Sequence, residues 1–220
     1  MSIGIGENVS KSFDYAKNRL FGNAIDWIIL IILCIIPIIG WILMLGFIVR
    51  VYRGGEAKLG EWIKMLIDGI LLWIIGIIYS IVPFIVLVIF GGAALLNPFV
   101  LMDPNAAETA FAGISIIGLI IALIVSIIFG IFGSIASVRF AKEESLGAAF
   151  QLGEIINIIG KIGWIHYILS VIVLAIIFAV IGFICGLLTI ILIGIILLLI
   201  LMPLLLIWSA RFVANLYESA

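Results

Sequence analysis

Few side chains in this sequence have the chemistry that catalysis or metal binding requires, and they are widely spaced. The single histidine, His166, lies in "GWIHYIL" at the start of an apolar run. Cys34 and Cys185 lie inside apolar runs with no second cysteine or histidine at metal-ligand spacing, so neither a zinc site nor a disulfide framework is indicated. We predict that both cysteines are buried as small hydrophobic residues and that His166 makes a structural hydrogen bond at the mouth of its run.

General acid–base and nucleophilic catalysis need an acid, a base and a nucleophile held at defined positions. The sequence has no phosphate-binding loop, no serine–lysine pair and no cluster of metal ligands, and "RGGEAKLG" (53–60) lacks the lysine pattern of a P-loop. The net charge of −1 leaves no basic surface of the kind that binds nucleic acid. We therefore predict a protein that is not an enzyme, has no cofactor, metal site or catalytic residue, and does not bind nucleic acid.

Arg50, Arg139 and Arg211 each close a long apolar run. A long cationic side chain at such a position can extend to lipid headgroups while its aliphatic stem stays in hydrocarbon. We predict that these residues mark the points where helices leave a membrane; binding of a specific anionic ligand is the alternative. Tryptophans near the ends of the runs are expected at the same level. The predicted anchoring residues are Arg50, Arg53, Arg139, Arg211, Trp27, Trp62 and Trp164.

Three acidic residues, Asp26, Asp68 and Glu154, are expected at the same membrane depth as the arginines. Opposite charges at one depth favour ion pairs between segments of the chain, and solvated or lipid-facing carboxylates are the alternative. A proton or cation relay is disfavoured, because such relays place acids inside the membrane and no acid lies at the middle of a run.

The third apolar run carries a stripe of small residues spaced three or four apart. In lipid, helices associate through close backbone approach at such stripes, so we predict a central packing helix. The alternative is a polar path lined by the three serine hydroxyls of the stripe, although serines without a charged or amide partner make a poor selectivity element. The stripe comprises Ser115, Gly118, Ala122, Ser126, Gly130, Gly133 and Ser137.

The elements that must position these residues follow from composition. Of the 220 residues, 66% are hydrophobic and 10% are charged, and the mean hydropathy of +1.51 is far above that of ordinary soluble domains. A bilayer core about 30 Å thick is crossed by about 20 helical residues. Four runs are long enough: Ala24–Val49, Ile70–Leu96, Ala110–Val138 and Ile165–Ser209.

Local signals divide and bend these runs. The last run is too long for one span, and a turn near Gly182 and Gly186 would make it a helical hairpin. Pro83 is expected to kink the second run without ending it. Asp103 and Pro104 are expected to start the third helix as its N-cap and first-turn proline.

The first run is either one tilted span or a hairpin broken at "PIIG" (37–40). A single span would divide the eleven lysines and arginines between both membrane faces, whereas a hairpin leaves all eleven on one face. Because cytoplasmic loops collect lysine and arginine, we predict the hairpin, with both termini cytoplasmic in a multi-pass protein of the cell membrane. Arms of about 13 residues reach only about 20 Å, so they are short, tilted or re-entrant.

A weak threefold repeat is predicted over residues 7–53, 58–142 and 145–214, since each unit opens with a short amphipathic segment. Such segments lie in the headgroup plane as interfacial helices. Their helical stripes are Val9, Phe13, Ala16 and Leu20 in the first unit, Lys58, Glu61, Lys64 and Asp68 in the second, and Gln151, Glu154, Asn157 and Lys161 in the third. The predicted fold is thus an all-α, polytopic transmembrane bundle in one domain (1–220), with about six membrane segments and three cytoplasmic interfacial helices.

Several short motifs in fixed order resemble one family over nearly the whole chain. They are "ENVSKSFDYAKNRLF", a proline-centred run ending in "RVYR", "EWIKMLIDG", "VRFAKEESLGAAFQLGEI", "IGWIHYIL" and "ARFVANLYESA". The chain resembles domain-of-unknown-function family 4013, membrane proteins found chiefly in archaea and many of them in methanogens. That family usually has a proline shortly before the tryptophan that corresponds to Trp62, where this chain has "AKLGEW". The resemblance implies a polytopic membrane protein without assigned activity or catalytic residues.

Three functions are consistent with the sequence. The first is a scaffold or accessory subunit that meets lipids, other membrane proteins or further copies of itself inside the membrane. The second is a small transporter or channel with a path along Ser115, Ser126 and Ser137. The third is a lipid-interacting or lipid-modifying protein, which would need His166 beside a carboxylate in a pocket.

Overall fold

The computed structural model describes residues 3–91, 116–189 and 193–220. These residues form eight α-helices and one short 3-10 segment, Leu146–Phe150, and no strand. The helices are α1 (Ile5–Phe21), α2 (Ala24–Ile35), α3 (Ile39–Arg53), α4 (Trp62–Gly91), α5 (Ile116–Glu143), α6 (Leu152–Ile162), α7 (Trp164–Thr189) and α8 (Ile193–Glu218). The prediction of an all-α fold is confirmed.

Four of the helices, α4, α5, α7 and α8, are long and apolar enough to cross a membrane. Each contains between 26 and 30 residues, and their large apolar side chains remain widely exposed. An exposed apolar surface of this kind is stable in lipid and costly in water. The prediction of a polytopic helical bundle is therefore confirmed for these spans.

The first apolar run doubles back, as its charge pattern predicts. It forms α2 and α3, which pack on each other and are separated by residues 36–38, where Ile38 adopts a φ of 61°. Arg19, before the run, donates from Nε to the carbonyl of Ala57, after it. With 12 and 15 residues, the two arms are about 18 and 22 Å long. Four of the six predicted segments are thus helices long and apolar enough to span a membrane, and α2 and α3 are shorter.

The structure corrects the predicted turn in the last apolar run. Gly182 and Gly186 lie inside α7, which continues to Thr189. Long stretches of leucine and isoleucine favour helix on both sides of each glycine, and an isolated glycine costs only about 1 kcal/mol in a helix. Pro83 lies within the continuous helix α4, as expected. Asp103 and Pro104 fall outside the described residues.

The second predicted interfacial helix is not a separate element. Residues 54–61 are irregular, and α4 runs without a break from Trp62 through Asp68 into its apolar part. Gly69, which directly follows Asp68, is itself helical and does not interrupt α4. The first and third segments do form distinct amphipathic helices, α1 and α6.

The chain divides into two compact units, residues 1–74 with 135–220, and residues 75–134. In the first unit, α1 packs along α8, and α8 also contacts α2, α3 and α7. Its fully buried side chains include Phe47, Phe140, Tyr167 and Phe212. In the second unit, Gly118 of α5 lies against Phe90 of α4.

Candidate functional site: a charged layer in the first unit

Arg53 is the centre of a cluster that joins three helices. As the last residue of α3, it donates from Nη1 and Nη2 to the two carboxylate oxygens of Asp68 on α4, at 2.7 and 3.1 Å. Its Nε donates to the carbonyl of Ala141 on α5 at 3.2 Å. Glu144 adds a second carboxylate, 3.3 Å from Nε. Two parallel bonds to one carboxylate fix both orientation and distance, so Arg53 sets how α3 meets α4.

Arg19 and Tyr15 attach α1 to the irregular segment 54–61. Besides its bond to Ala57, Arg19 pairs through Nη2 with Asp26 at the start of α2. The Tyr15 hydroxyl donates to the carbonyl of Gly55 at 2.9 Å. Burial raises the pKa of the Tyr15 phenol, so it remains a protonated donor at neutral pH. These contacts hold the α2–α3 hairpin at both of its ends.

Glu218, at the end of α8, accepts from two basic side chains. Its carboxylate lies 2.5 Å from Nζ of Lys142 on α5 and accepts two bonds from Arg211, at 3.0 and 3.3 Å. The Arg211 guanidinium also lies over the ring of Tyr15, 5.3 Å from its centroid, a distance at which cation–π attraction is effective. The end of α8 is thereby joined to α5 and to α1.

Arg139 is enclosed by protein, with only 4% of its surface exposed. Its Nη2 donates to Glu143 at 2.9 Å and to the Gln151 side chain at 2.8 Å. Gln151 directly precedes α6, so this bond ties α6 to α5. Nε and Nη1 of Arg139 are buried without a hydrogen-bond partner among the described residues.

We call these side chains the charged layer, because each of them makes an ion pair or a hydrogen bond with another group of the protein. Its members are Arg19, Asp26, Arg50, Arg53, Asp68, Arg139, Lys142, Arg211 and Glu218. All of them belong to the first unit. Pairing of Asp68 with an arginine from another part of the chain agrees with prediction, whereas the exposed Glu154 is not part of the layer.

The predicted anchoring residues take two kinds of position. Arg50, like the arginines above, points to protein, where Nη1 donates to the carbonyl of Lys58 at 2.5 Å. Trp62 and Trp164 are 46% and 42% exposed, as a residue at a headgroup surface would be. Trp27 donates from Nε1 to the carbonyl of Ile200 on α8. Anchoring to lipid remains a prediction. The exposed Trp62 and Trp164 are better placed to contact lipid than the arginines, which bind protein groups.

The small residues of the stripe on α5 differ in how closely other residues pack against them. A Cβ on Gly118 would lie 2.4 Å from Cβ of Phe90, and one on Gly133 would touch Tyr79 at 3.4 Å, while Gly130 has nothing within 4 Å. Ala122 is buried and Ser137 is half-buried. The exposed Ser126 donates to the carbonyl of Ala122 in its own helix. Ser115 lies outside the described residues.

The isolated reactive residues have structural surroundings. Nε2 of His166 lies 2.9 Å from the carbonyl oxygen of Ile3, which joins α7 to the start of the chain. Cys34 and Cys185 are free and buried, as expected. Within the described ranges, no three residues among histidine, cysteine, aspartate and glutamate are grouped as metal ligands.

A polar seam between α1 and α8 was not predicted from the sequence. Asn8 donates to the carbonyl of Phe212 at 3.1 Å and accepts from Asn215 at 2.9 Å. Trp208 donates to the hydroxyl of Ser12 at 3.0 Å. A helical spacing of four residues could have indicated the seam, because it places on one fully buried face of α1 the residues Asn8, Ser12, Ala16 and Leu20. Of the predicted apolar stripe, Ala16 and Leu20 belong to this buried face, while Val9 and Phe13 flank it and are half-buried.

Asn8→Ala is expected to lower the free energy of unfolding by about 2 kcal/mol, because it removes one buried and one partly buried hydrogen bond and leaves their partners unpaired. The exposed Asn157 on α6 provides the matched control. Thermal unfolding of both variants in mild detergent checks this, and equal midpoints for Asn8→Ala and Asn157→Ala would contradict a stabilising seam.

The comparisons with known proteins give one match. A family model described as "Protein of unknown function (DUF4013)" matches residues 29–190. No curated protein and no solved structure matches the chain. The matched range begins within α2 and ends just after α7, so it contains Arg53, Asp68 and Arg139 of the charged layer, while α1 and α8 lie outside it. Because the match covers well over half of its length, the chain belongs to the DUF4013 family, whose function is unknown.

Proposed function

We propose that this protein is a non-enzymatic scaffold or accessory subunit that acts within the cell membrane. The observation that carries the proposal is that the charged side chains bind other groups of the protein. Arg53 and Arg19 bind carboxylates and backbone carbonyls of other segments of the chain. Arg211 binds Glu218 of its own helix, and Glu218 also accepts from Lys142 on α5. These bonds stabilise the helix arrangement. An active site or an ion path would instead leave charged groups directed at a substrate.

The charged layer also supports the proposed orientation. Its members come from separate parts of the chain: Arg53 of α3 binds Asp68 of α4. Lys142 of α5 binds Glu218 of α8. Lysine and arginine collect on the cytoplasmic side of membrane proteins. We therefore place both termini and the layer on the cytoplasmic side, with the exposed apolar side chains of α4, α5, α7 and α8 in contact with lipid or with helices of other membrane proteins.

A transporter with a path along Ser126 has less support. The Ser126 hydroxyl donates to the carbonyl of Ala122, one turn earlier in the same helix. A serine that faces hydrocarbon satisfies its hydroxyl donor in this way. The exposed position of Ser126 favours a surface where another helix approaches, since small residues permit close packing in lipid.

The experiment is purification of the tagged chain from its own membrane in mild detergent after cross-linking, together with solute flux in proteoliposomes. We expect a stoichiometric membrane-protein partner or a second copy, no flux, and a weakened complex in the Ser126→Leu variant. Ile124→Leu, an exposed and volume-conserving change on the same helix, should leave the complex intact. An uncomplexed chain that carries flux, with loss of that flux in Ser126→Leu, would contradict the proposal.

A further inference from the structure

A polar cleft of about 530 Å³ lies where α1 turns into α2. The two helices meet there at 101°, and segment 54–61 forms the opposite wall. The amide and charged side chains that line the cleft are Asn18, Arg19, Asn23, Asp26, Glu56 and Lys58. The volume lies within the range of about 300–1,000 Å³ that is typical of small-molecule sites.

The charges on the walls of the cleft balance. Arg19 and Lys58 are positive, and Asp26 and Glu56 are negative. Arg19 is paired with Asp26, and Lys58 lies 3.5 Å from Glu56. A phosphate in the cleft would face two carboxylates and a cation would face two basic groups, so like-charge repulsion opposes both. The electrostatics therefore favour an uncharged ligand.

Free hydrogen-bonding groups remain on the amides of the cleft. The Asn18 side chain makes no hydrogen bond within the described part of the chain, and Asn23 uses only its oxygen, which accepts from the backbone N–H of Asp26. Each amide nitrogen carries two donors, and the Asn18 oxygen is a free acceptor. Glu56 and Lys58 add an exposed acceptor and an exposed donor. Hydroxyl groups both donate and accept, so a polyhydroxylated ligand can satisfy this mixed set.

Two exposed apolar residues adjoin the lining residues in the sequence. Phe21 directly precedes Gly22 and Ile25 directly precedes Asp26, and they are 64% and 71% exposed. Phe21 packs against Trp27, with ring centroids 5.1 Å apart. Aromatic residues with one apolar and one polar side are typical of the lipid headgroup level. A ligand held here has its polar part in the cleft and apolar groups beside it.

We propose that this cleft binds the uncharged, polyhydroxylated headgroup of a membrane glycolipid. Asn18 and Asn23 contact the hydroxyl groups through their amides, Glu56 accepts from them, and Lys58 donates to them. The aliphatic chains lie beside Phe21 and Ile25. The site makes the junction of α1 and α2 a lipid-recognition element, a role that is separate from the scaffold function.

The proposal is tested by native mass spectrometry of the full chain in mild detergent, with monoglucosyl diacylglycerol or phosphatidylglycerol added at equal concentration. We expect the glucosyl lipid to be retained and phosphatidylglycerol to be retained about tenfold less. Asn18→Leu should reduce retention of the glucosyl lipid by about tenfold, which corresponds to the loss of one or two hydrogen bonds. Asn157→Leu, an equivalent change on exposed α6, should have no effect.

Thermal unfolding of Asn18→Leu shows whether a loss of binding reflects a loss of folding. If Asn18→Leu unfolds early, Lys58→Met replaces it, because Lys58 is widely exposed and its side chain pairs only with the equally exposed Glu56. Equal retention of both lipids, preferential retention of phosphatidylglycerol, or unchanged glucosyl-lipid retention in folded Asn18→Leu or Lys58→Met would overturn the proposal.

Discussion

Gly46→Ala is expected to lower the free energy of unfolding by about 3 kcal/mol, since the added methyl group overpacks a rigid contact. A Cβ on Gly46 of α3 would lie 1.8 Å from the carbonyl oxygen of Met65 on α4. The contact is reciprocal, because a Cβ on Gly69 of α4 would lie 1.9 Å from the carbonyl oxygen of Ile42. Backbone atoms cannot rotate away as a flexible side chain can, so the two helices must separate.

Thermal unfolding in detergent, followed by circular dichroism, measures this effect. For a chain of this size we expect the apparent midpoint to fall by about 6 °C or more. Gly76→Ala on α4 is the control, because nothing lies within 4 Å of a Cβ at that position, and alanine favours helix over glycine. A midpoint for Gly46→Ala equal to or above that of Gly76→Ala would contradict the close approach of α3 and α4.

Arg53→Met is expected to cost about 3 kcal/mol, because it leaves the buried carboxylate of Asp68 without its cation. Asp68 is 6% exposed, so water cannot replace the lost bonds at little cost. The double variant Arg53→Met with Asp68→Leu should recover a large part of the loss, since it removes both charges. Arg53→Lys should recover little, because a lysine cannot form the bidentate contact.

The exposed pair of Lys11 and Glu7, 2.7 Å apart on α1, provides the control for this prediction. Pairs on a solvated surface contribute about 0–1 kcal/mol, so Lys11→Met should change the apparent midpoint little. If Arg53→Met were as mild as Lys11→Met, or if the double variant were no more stable than Arg53→Met alone, the charged layer would not be a stabilising network.

The spans and the doubling back of the first run could be predicted because both depend on simple physical limits. Long apolar runs such as 165–209 are stable only in lipid. The positions of the eleven basic residues restrict the direction in which each run can cross the membrane. The turn predicted at Gly182 and Gly186 was wrong, because glycine does not end a helix whose neighbours favour it. Similarly, the polar stripe at 58–68 could not reveal that α4 begins inside it.

The sequence could predict that Asp68 pairs with an arginine, but it could not predict which arginine. Arg53 with Asp68, and Arg139 with Gln151, are pairs that only the tertiary packing brings together. A snorkelling arginine and an arginine that binds a neighbouring helix have the same sequence signature at the end of an apolar run. The cleft lined by Asn18 and Asn23 was missed for a similar reason, since two separated asparagines give no periodic signal.

Cysteine labelling of intact cells with a membrane-impermeant maleimide tests whether the charged layer lies on one side of the membrane. In a Cys34→Ala, Cys185→Ala background, single Lys17→Cys, Lys58→Cys and Lys161→Cys variants place a thiol before the hairpin, after it and on α6. We predict that none is labelled until the cells are permeabilised, when all three are labelled. Labelling of Lys17→Cys in intact cells, with protection of Lys58→Cys, would contradict a charged layer that lies on one side of the membrane.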